Sequence, residues 1–159
     1  MAKPRAAAPR RRVLVLSGPN LQLLGTREPA IYGTETLAQI HRRVARRGAE
    51  LGVAVTAEQS NHEGVLLDRI GAAPGRFDGL LLNAGAYTHT SLALYDALRA
   101  VALPCVEVHL SNPEAREAYR SAARVAPACI AKVAGFGGES YVLALEGLVR
   151  WLEARAAVD

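Results

Sequence analysis

The sequence predicts an α/β domain built on one five-stranded parallel sheet, with helices on both faces. Three observations predict it. Short continuous apolar runs alternate with longer stretches of helical period from Val13 onward. The runs stop at turn-forming residues, as in Ser17-Gly18-Pro19-Asn20 and Asn83-Ala84-Gly85. The composition, 50% apolar and 21% charged over 159 residues, is that of a single globular core. A chain of this length buries about two-thirds of the surface it exposes when unfolded, without help from disulfides or metals.

The elements follow in order. Val13–Leu16 is a buried strand, and Thr36–Leu51 is an amphipathic helix with Leu37, Ile40, Val44 and Leu51 inward and several arginines outward. Gly52 ends that helix. Val53–Ala57 is a second strand, Glu63–Ala73 a second helix, and Gly79–Leu82 a third strand. Thr90 or Ser91 caps a helix reaching Ala102, Leu103–His109 is the fourth strand, and a short helix starts after Asn112-Pro113. Ile130–Ala134 is the fifth strand and Tyr141–Ala157 the closing helix. Each crossover helix must return over the sheet, so the strands run parallel. The flavodoxin-like, doubly wound order 2-1-3-4-5 fits this length. Lys132 would then lie in an edge strand, where a charge discourages pairing between molecules.

Several function classes are excluded. No apolar run approaches the roughly 18–20 residues of a membrane span, so no membrane partner is expected. The first twelve residues lack the apolar stretch of a secretory signal. The two cysteines, Cys105 and Cys129, lie in apolar runs and read as buried thiols of a cytoplasmic protein. The net charge is +4, but Lys3, Arg5, Arg10, Arg11 and Arg12 supply five positive charges with no acid among them, leaving −1 for residues 13–159. Basicity thus belongs to a tail, residues 1–12, expected to be disordered, and no nucleic-acid partner is expected of the domain at 13–159. His62 and His89 have no short-spaced cysteine or histidine partners, so no metal is expected; His41, among arginines, reads as a solvated surface residue.

In a sheet of this order, ligands bind beyond the carboxyl ends of strands one, three and four. Those ends are polar: Gly18-Pro19-Asn20, Asn83-Ala84-Gly85 and His109-Leu110-Ser111-Asn112. Glu107 and His109, two apart in a strand, share a face. A carboxylate in an apolar segment needs a partner, and a Glu–His pair would fix the imidazole tautomer for acid–base work or serve structure alone. Gly18–Thr34 joins strand one to its helix with roughly sixteen residues, against a usual 4–6 or so. It carries Arg27 and Tyr32. A guanidinium within about 4–6 Å favours a phenolate, so Arg27 could make Tyr32 a base, although spacing alone favours the reading in which the ring simply packs on the arginine.

Five motifs, Gly18–Leu21, Leu24–Gly33, Gln59–Gly64, Leu82–Ser91 and Glu107–Asn112, resemble type II 3-dehydroquinate dehydratase in order and spacing from about Val13 to Leu152. The resemblance implies a cofactor-free hydro-lyase of the shikimate pathway, or of quinate breakdown. It would convert 3-dehydroquinate to 3-dehydroshikimate by anti elimination through an enolate. By resemblance, Tyr32 is the base, Arg27 activates it, and Asn20 holds a water at the enolate oxygen. His109, oriented by Glu107, protonates the leaving hydroxyl. Asn83, His89, Leu110, Ser111 and Arg120 match substrate-binding residues, Asp96 matches one that reaches a neighbouring subunit's site, and a dodecamer of trimers is implied.

The alternative is a flavodoxin-like flavin- or phosphate-binding regulatory module, although the acidic cluster of receiver domains is replaced here by Gly18-Pro19-Asn20. The chain has two lysines, Lys3 and Lys132, neither at the polar strand ends, which disfavours an imine route. Tyr95 and Ser121–Val125 depart from the family pattern at positions expected near subunit contacts, and Arg69 and Gly71 depart in helix two.

Overall fold

The computed structural model describes residues 10–26 and 28–158. Strands β1 (Arg11–Ser17), β2 (Val53–Gln59), β3 (Gly79–Asn83), β4 (Cys105–His109) and β5 (Ala131–Ala134) form one parallel sheet in the order β2-β1-β3-β4-β5. This is the flavodoxin-like order the sequence predicts.

Alternation along β1 explains its unbroken apolar run. Val13 and Val15 face one helical layer, with Ile40 and Val44 of α2 (Leu37–Glu50) and Leu145 and Leu148 of α5 (Glu139–Ala156). Leu14 and Leu16 face the other, with Leu66 and Ile70 of α3 (Glu63–Gly71) and Leu94 and Leu98 of α4 (Leu92–Val101). A strand buried on both sides needs apolar residues at every position.

Local chemistry sets the helix ends. Thr36 Oγ1 accepts from the Gln39 backbone N–H at 3.2 Å, and Gln39 Oε1 accepts from the Thr36 N–H at 2.8 Å, a reciprocal capping box. Ser91 Oγ accepts from the Leu94 N–H at 2.9 Å and starts α4. Gly52 follows α2 with a φ of 72°, in the left-handed region.

Two expectations, the extent of the tail and the setting of His41, are corrected. The tail is shorter than residues 1–12, because Arg11 and Arg12 already pair with Val53 and Ala54. Arg10 donates to the Val53 carbonyl at 3.0 Å, and the Arg12 backbone N–H to Asp78 Oδ2 at 2.6 Å. Ladder bonding holds Arg11 and Arg12, and the Arg12 side chain also donates to the Gly75 carbonyl; residues 1–9, where the rest of that expectation falls, lie outside the described residues. The short helix expected after Asn112 is the 3₁₀ turn Pro113–Ala115, started by Asn112 Oδ1 accepting from Glu114 N–H, and a second 3₁₀ turn follows at Ala118–Arg120. The long connection after β1 has its own structure, a 3₁₀ turn at Leu21–Leu23 and the short helix α1 (Pro29–Tyr32). Finally, His41 is half-buried and hydrogen-bonded to Ser17, so it is no solvated surface residue. No helix among the described residues is long and apolar enough to cross a membrane.

Candidate active site

The carboxyl ends of β1, β3 and β4 lie side by side, with Ser17 opposite Asn83 and Leu82 opposite Glu107. The chain leaving β1 passes very close to the chain leaving β3. Gly18 donates its N–H to the Asn83 carbonyl at 2.7 Å, and a Cβ on Gly18 would sit 2.6 Å from the Ala84 carbonyl oxygen. Only glycine allows that approach. Asn20 follows with a φ of 67°, a conformation asparagine tolerates better than most residues.

These ends open into a cleft. Asn20, Tyr32, Asn83, His89, His109, Leu110, Ser111 and Arg120, all singled out in the sequence, line it. Asp96 does not; it lies exposed on α4, away from this chain's own cleft. Arg27 lies outside the described residues.

Glu107 and His109 meet as their spacing predicts. Both point to the α3/α4 side of the sheet, where Glu107 is fully buried and His109 is 8% exposed. His109 Nε2 is 3.0 Å from Glu107 Oε1, and the Thr88 hydroxyl donates to the same oxygen. Burial works to raise the Glu107 carboxyl, but the bonds from His109 and Thr88 outweigh it and hold the group below its ordinary value. It is therefore a carboxylate. Its other oxygen, Oε2, has no hydrogen-bond partner, so the buried charge is compensated chiefly by His109 and the Thr88 hydroxyl, with a smaller attraction from Lys132 on β5. The contact ties Nε2 to the carboxylate and leaves Nδ1 for a ligand.

Tyr32 ends α1, half-buried, and its hydroxyl receives a bond from Arg116 Nη1 at 2.8 Å. The Arg116 guanidinium carbon also lies 5.3 Å from the centre of the tyrosine ring. Sequence reasoning missed Arg116. The usable signal was position: the chain leaving β4 must cross the cleft, so a cation seven residues beyond His109 lands on its rim. Arg120 lines the same wall and is held by Glu117 Oε2 at 2.8 Å. His89 Nδ1 is 2.7 Å from the Ala122 carbonyl. A carbonyl only accepts, so Nδ1 carries the proton.

Chemically, the cleft offers a phenol whose oxygen is held by a guanidinium, an imidazole backed by a buried carboxylate, and several fixed polar donors. No group of three or more potential metal-ligating side chains occurs among the described residues. A model of the dehydroquinase class II family matches residues 11–149. The chain belongs to that family. The 3-dehydroquinate dehydratase of Ruegeria pomeroyi is 52% identical over 145 residues, covering 91% of this chain and 97% of that protein. The counterpart from a Nostoc species is 55% identical over 141 residues, covering 89% and 96%. Among solved structures, a type II dehydroquinase from Butyrivibrio crossotus superposes with a TM-score of 0.86 at 37% identity, covering 89% of this chain and 99% of that one. The class II dehydroquinase assignment thus spans nearly the whole domain, the cleft included.

Proposed function

We propose that this cleft dehydrates 3-dehydroquinate to 3-dehydroshikimate, the hydro-lyase step of the shikimate pathway. The observation that carries the mechanism is the convergence of Tyr32, bonded to Arg116, and His109, bonded to Glu107, on one small polar cleft. The substrate has a hydrogen beside a ketone and a hydroxyl on the next carbon. Tyr32, as phenolate, takes the C2 proton; the electron pair moves toward the ketone and forms an enolate. Arg116 holds the charge on the tyrosine oxygen before transfer, and Arg27 is proposed to assist it. Asn20 holds a water against the enolate oxygen, so that fixed donors meet charge where it develops. The enolate then collapses, the C1–O bond breaks, and His109 gives its proton to the departing hydroxyl so that water leaves.

Asn83, His89, Ser111, the backbone at Leu110, and Arg120 are proposed to hold the carboxylate and ring hydroxyls. A cation suits the carboxylate, and Arg120 supplies one at the cleft wall. Lysine chemistry has no support at the site, because Lys132 lies on edge strand β5 and is taken by Glu114. Asp96 is proposed to reach the cleft of a second copy, in trimers that build a dodecamer. Supporting this, Leu92, Tyr95, Ala122, Ala123, Arg124 and Pro127 line a largely apolar groove on the same helix and the adjoining loop, so the two stretches that depart from the family pattern meet there.

Mixing the purified chain with 3-dehydroquinate tests the reading. Ultraviolet absorbance should rise as the conjugated enone forms, and Tyr32→Phe and His109→Ala should each lower kcat by roughly 10²–10⁴-fold while keeping the fold. No rise from a folded preparation refutes the activity; near-normal rates in either variant refute that residue's role. Solution mass of the same preparation checks the assembly: a twelvefold multiple is expected, and a monomer contradicts it.

A further inference from the structure

The motif at residues 59–64 follows β2 and takes no part in the reaction above, yet it touches the exits of both β1 and β3. Asn61 Oδ1 accepts from the Asn20 backbone N–H at 3.0 Å and from Gln59 Nε2 at 3.0 Å. Gln59 Nε2 also lies 3.1 Å from the Gly18 carbonyl oxygen and 3.1 Å from Gln22 Oε1. The Tyr87 hydroxyl, in the 3₁₀ turn that follows β3, donates to the Asn61 carbonyl at 2.8 Å.

Two backbone groups fix the way these amides face. The Gly18 carbonyl only accepts, so the Gln59 nitrogen faces it; the Asn20 N–H only donates, so the Asn61 oxygen faces it. The two orientations are set independently and they agree, because a donor of Gln59 then meets an acceptor of Asn61. Turning Asn61 over would oppose two donors, and turning Gln59 over would oppose two acceptors. Asn20 needs such a hold. Its φ of 67° is left-handed, a conformation that a residue other than glycine keeps where its surroundings select it. Its N–H goes to Asn61, its carbonyl accepts from the Leu23 N–H at 3.1 Å, and its side chain does not cap the turn that follows. That side chain is left for the cleft it lines.

We propose that Asn61, braced by Gln59 and Tyr87, is a positioning residue that sets where the Asn20 side chain stands in the cleft. The inference rests on the reading that Asn20 holds a water against the enolate oxygen. Charge reaches that oxygen only as the proton leaves C2, so a displaced Asn20 weakens the transition state and leaves substrate binding alone. Asn20 and Asn61 are both exposed, so water takes up the N–H that a substitution of Asn61 frees, and the fold is kept.

The test is a double-mutant cycle on the purified full-length chain, with kcat and KM for 3-dehydroquinate read separately. Asn61→Ala should lower kcat roughly three- to tenfold, the size of one neutral hydrogen bond, with KM within about twofold of wild type. Asn20→Gly removes the carboxamide and keeps the left-handed backbone without strain. In that background Asn61→Ala should cost nothing further, because the group it acts through is gone. Gln59→Met removes the brace at similar side-chain length and carries the same prediction in both backgrounds, even if Asn61→Ala fails to fold. An equal loss of kcat with and without the Asn20 side chain, a rise in KM alone, or no loss at all overturns the positioning role and leaves the dehydratase reading standing. A wild-type kcat in Asn20→Gly instead removes Asn20 from the mechanism, and the proposal falls with that reading.

Discussion

A phenol is a weak base unless something holds the negative charge it must carry, and in this cleft Arg116 Nη1 lies 2.8 Å from the Tyr32 oxygen. Arg116→Gln should therefore lower kcat by about a hundredfold, the usual cost of losing one fixed donor at a developing charge. Arg116→Lys should recover part of it, and steady-state kinetics with each variant checks both; an unchanged kcat in Arg116→Gln would remove the guanidinium from the mechanism. The sequence shows such residues unequally. Glu107 and His109 were legible because a strand fixes side-chain direction at every second residue. Arg116 was not, because it follows a 3₁₀ turn in an irregular segment where spacing carries no direction. His41 was misread for a related reason: its helix neighbours are arginines, and only the register of α2 against β1 shows that the ring reaches Ser17.

At the scale of elements, the cleft depends on how closely the exits of β1 and β3 approach. Gly18→Ala would drive a methyl into the backbone at Ala84, where no flexible side chain can yield. We expect a loss of about 1–3 kcal/mol, the range for overpacking a tight contact. Activity should fall as well, since Asn20 and Asn83 sit on the two exits. Denaturant unfolding and the turnover assay measure the two effects, and a stable, fully active Gly18→Ala variant would show that the approach is slack. Most elements were visible in the sequence: the five strands from their apolar runs, and α2 and α4 from Thr36 and Ser91 at their starts. The short helix α1 escaped, because four residues led by Pro29 offer no periodicity. It nevertheless sets where Tyr32 stands.

For the whole molecule, buried Glu107 and half-buried His41 both make the fold sensitive to acid. Glu107 is held below its ordinary 4.5, with burial opposing and the bonds from His109 and Thr88 prevailing, and His41 is held below 6.5 by burial. Both bind protons more readily in the unfolded chain, so the stability each contributes is present above its unfolded pKa and lost as pH falls through the folded one. Unfolding midpoints should hold steady above about pH 6.5, decline below it, and decline more steeply below about pH 4.5. His41→Gln should abolish the upper part of the decline. A midpoint that rises on acidification would contradict the assignment.

In the proposed mechanism Tyr32 draws a proton from C2 while His109 expels water from C1. Anti geometry requires the hydrogen removed to lie on the ring face opposite the C1 hydroxyl. The most direct measurement is conversion of 3-dehydroquinate carrying deuterium at C2 on that face, with the product examined by mass spectrometry. The account predicts product free of deuterium and a label retained when it is placed on the other face. Retention from the first substrate would contradict it.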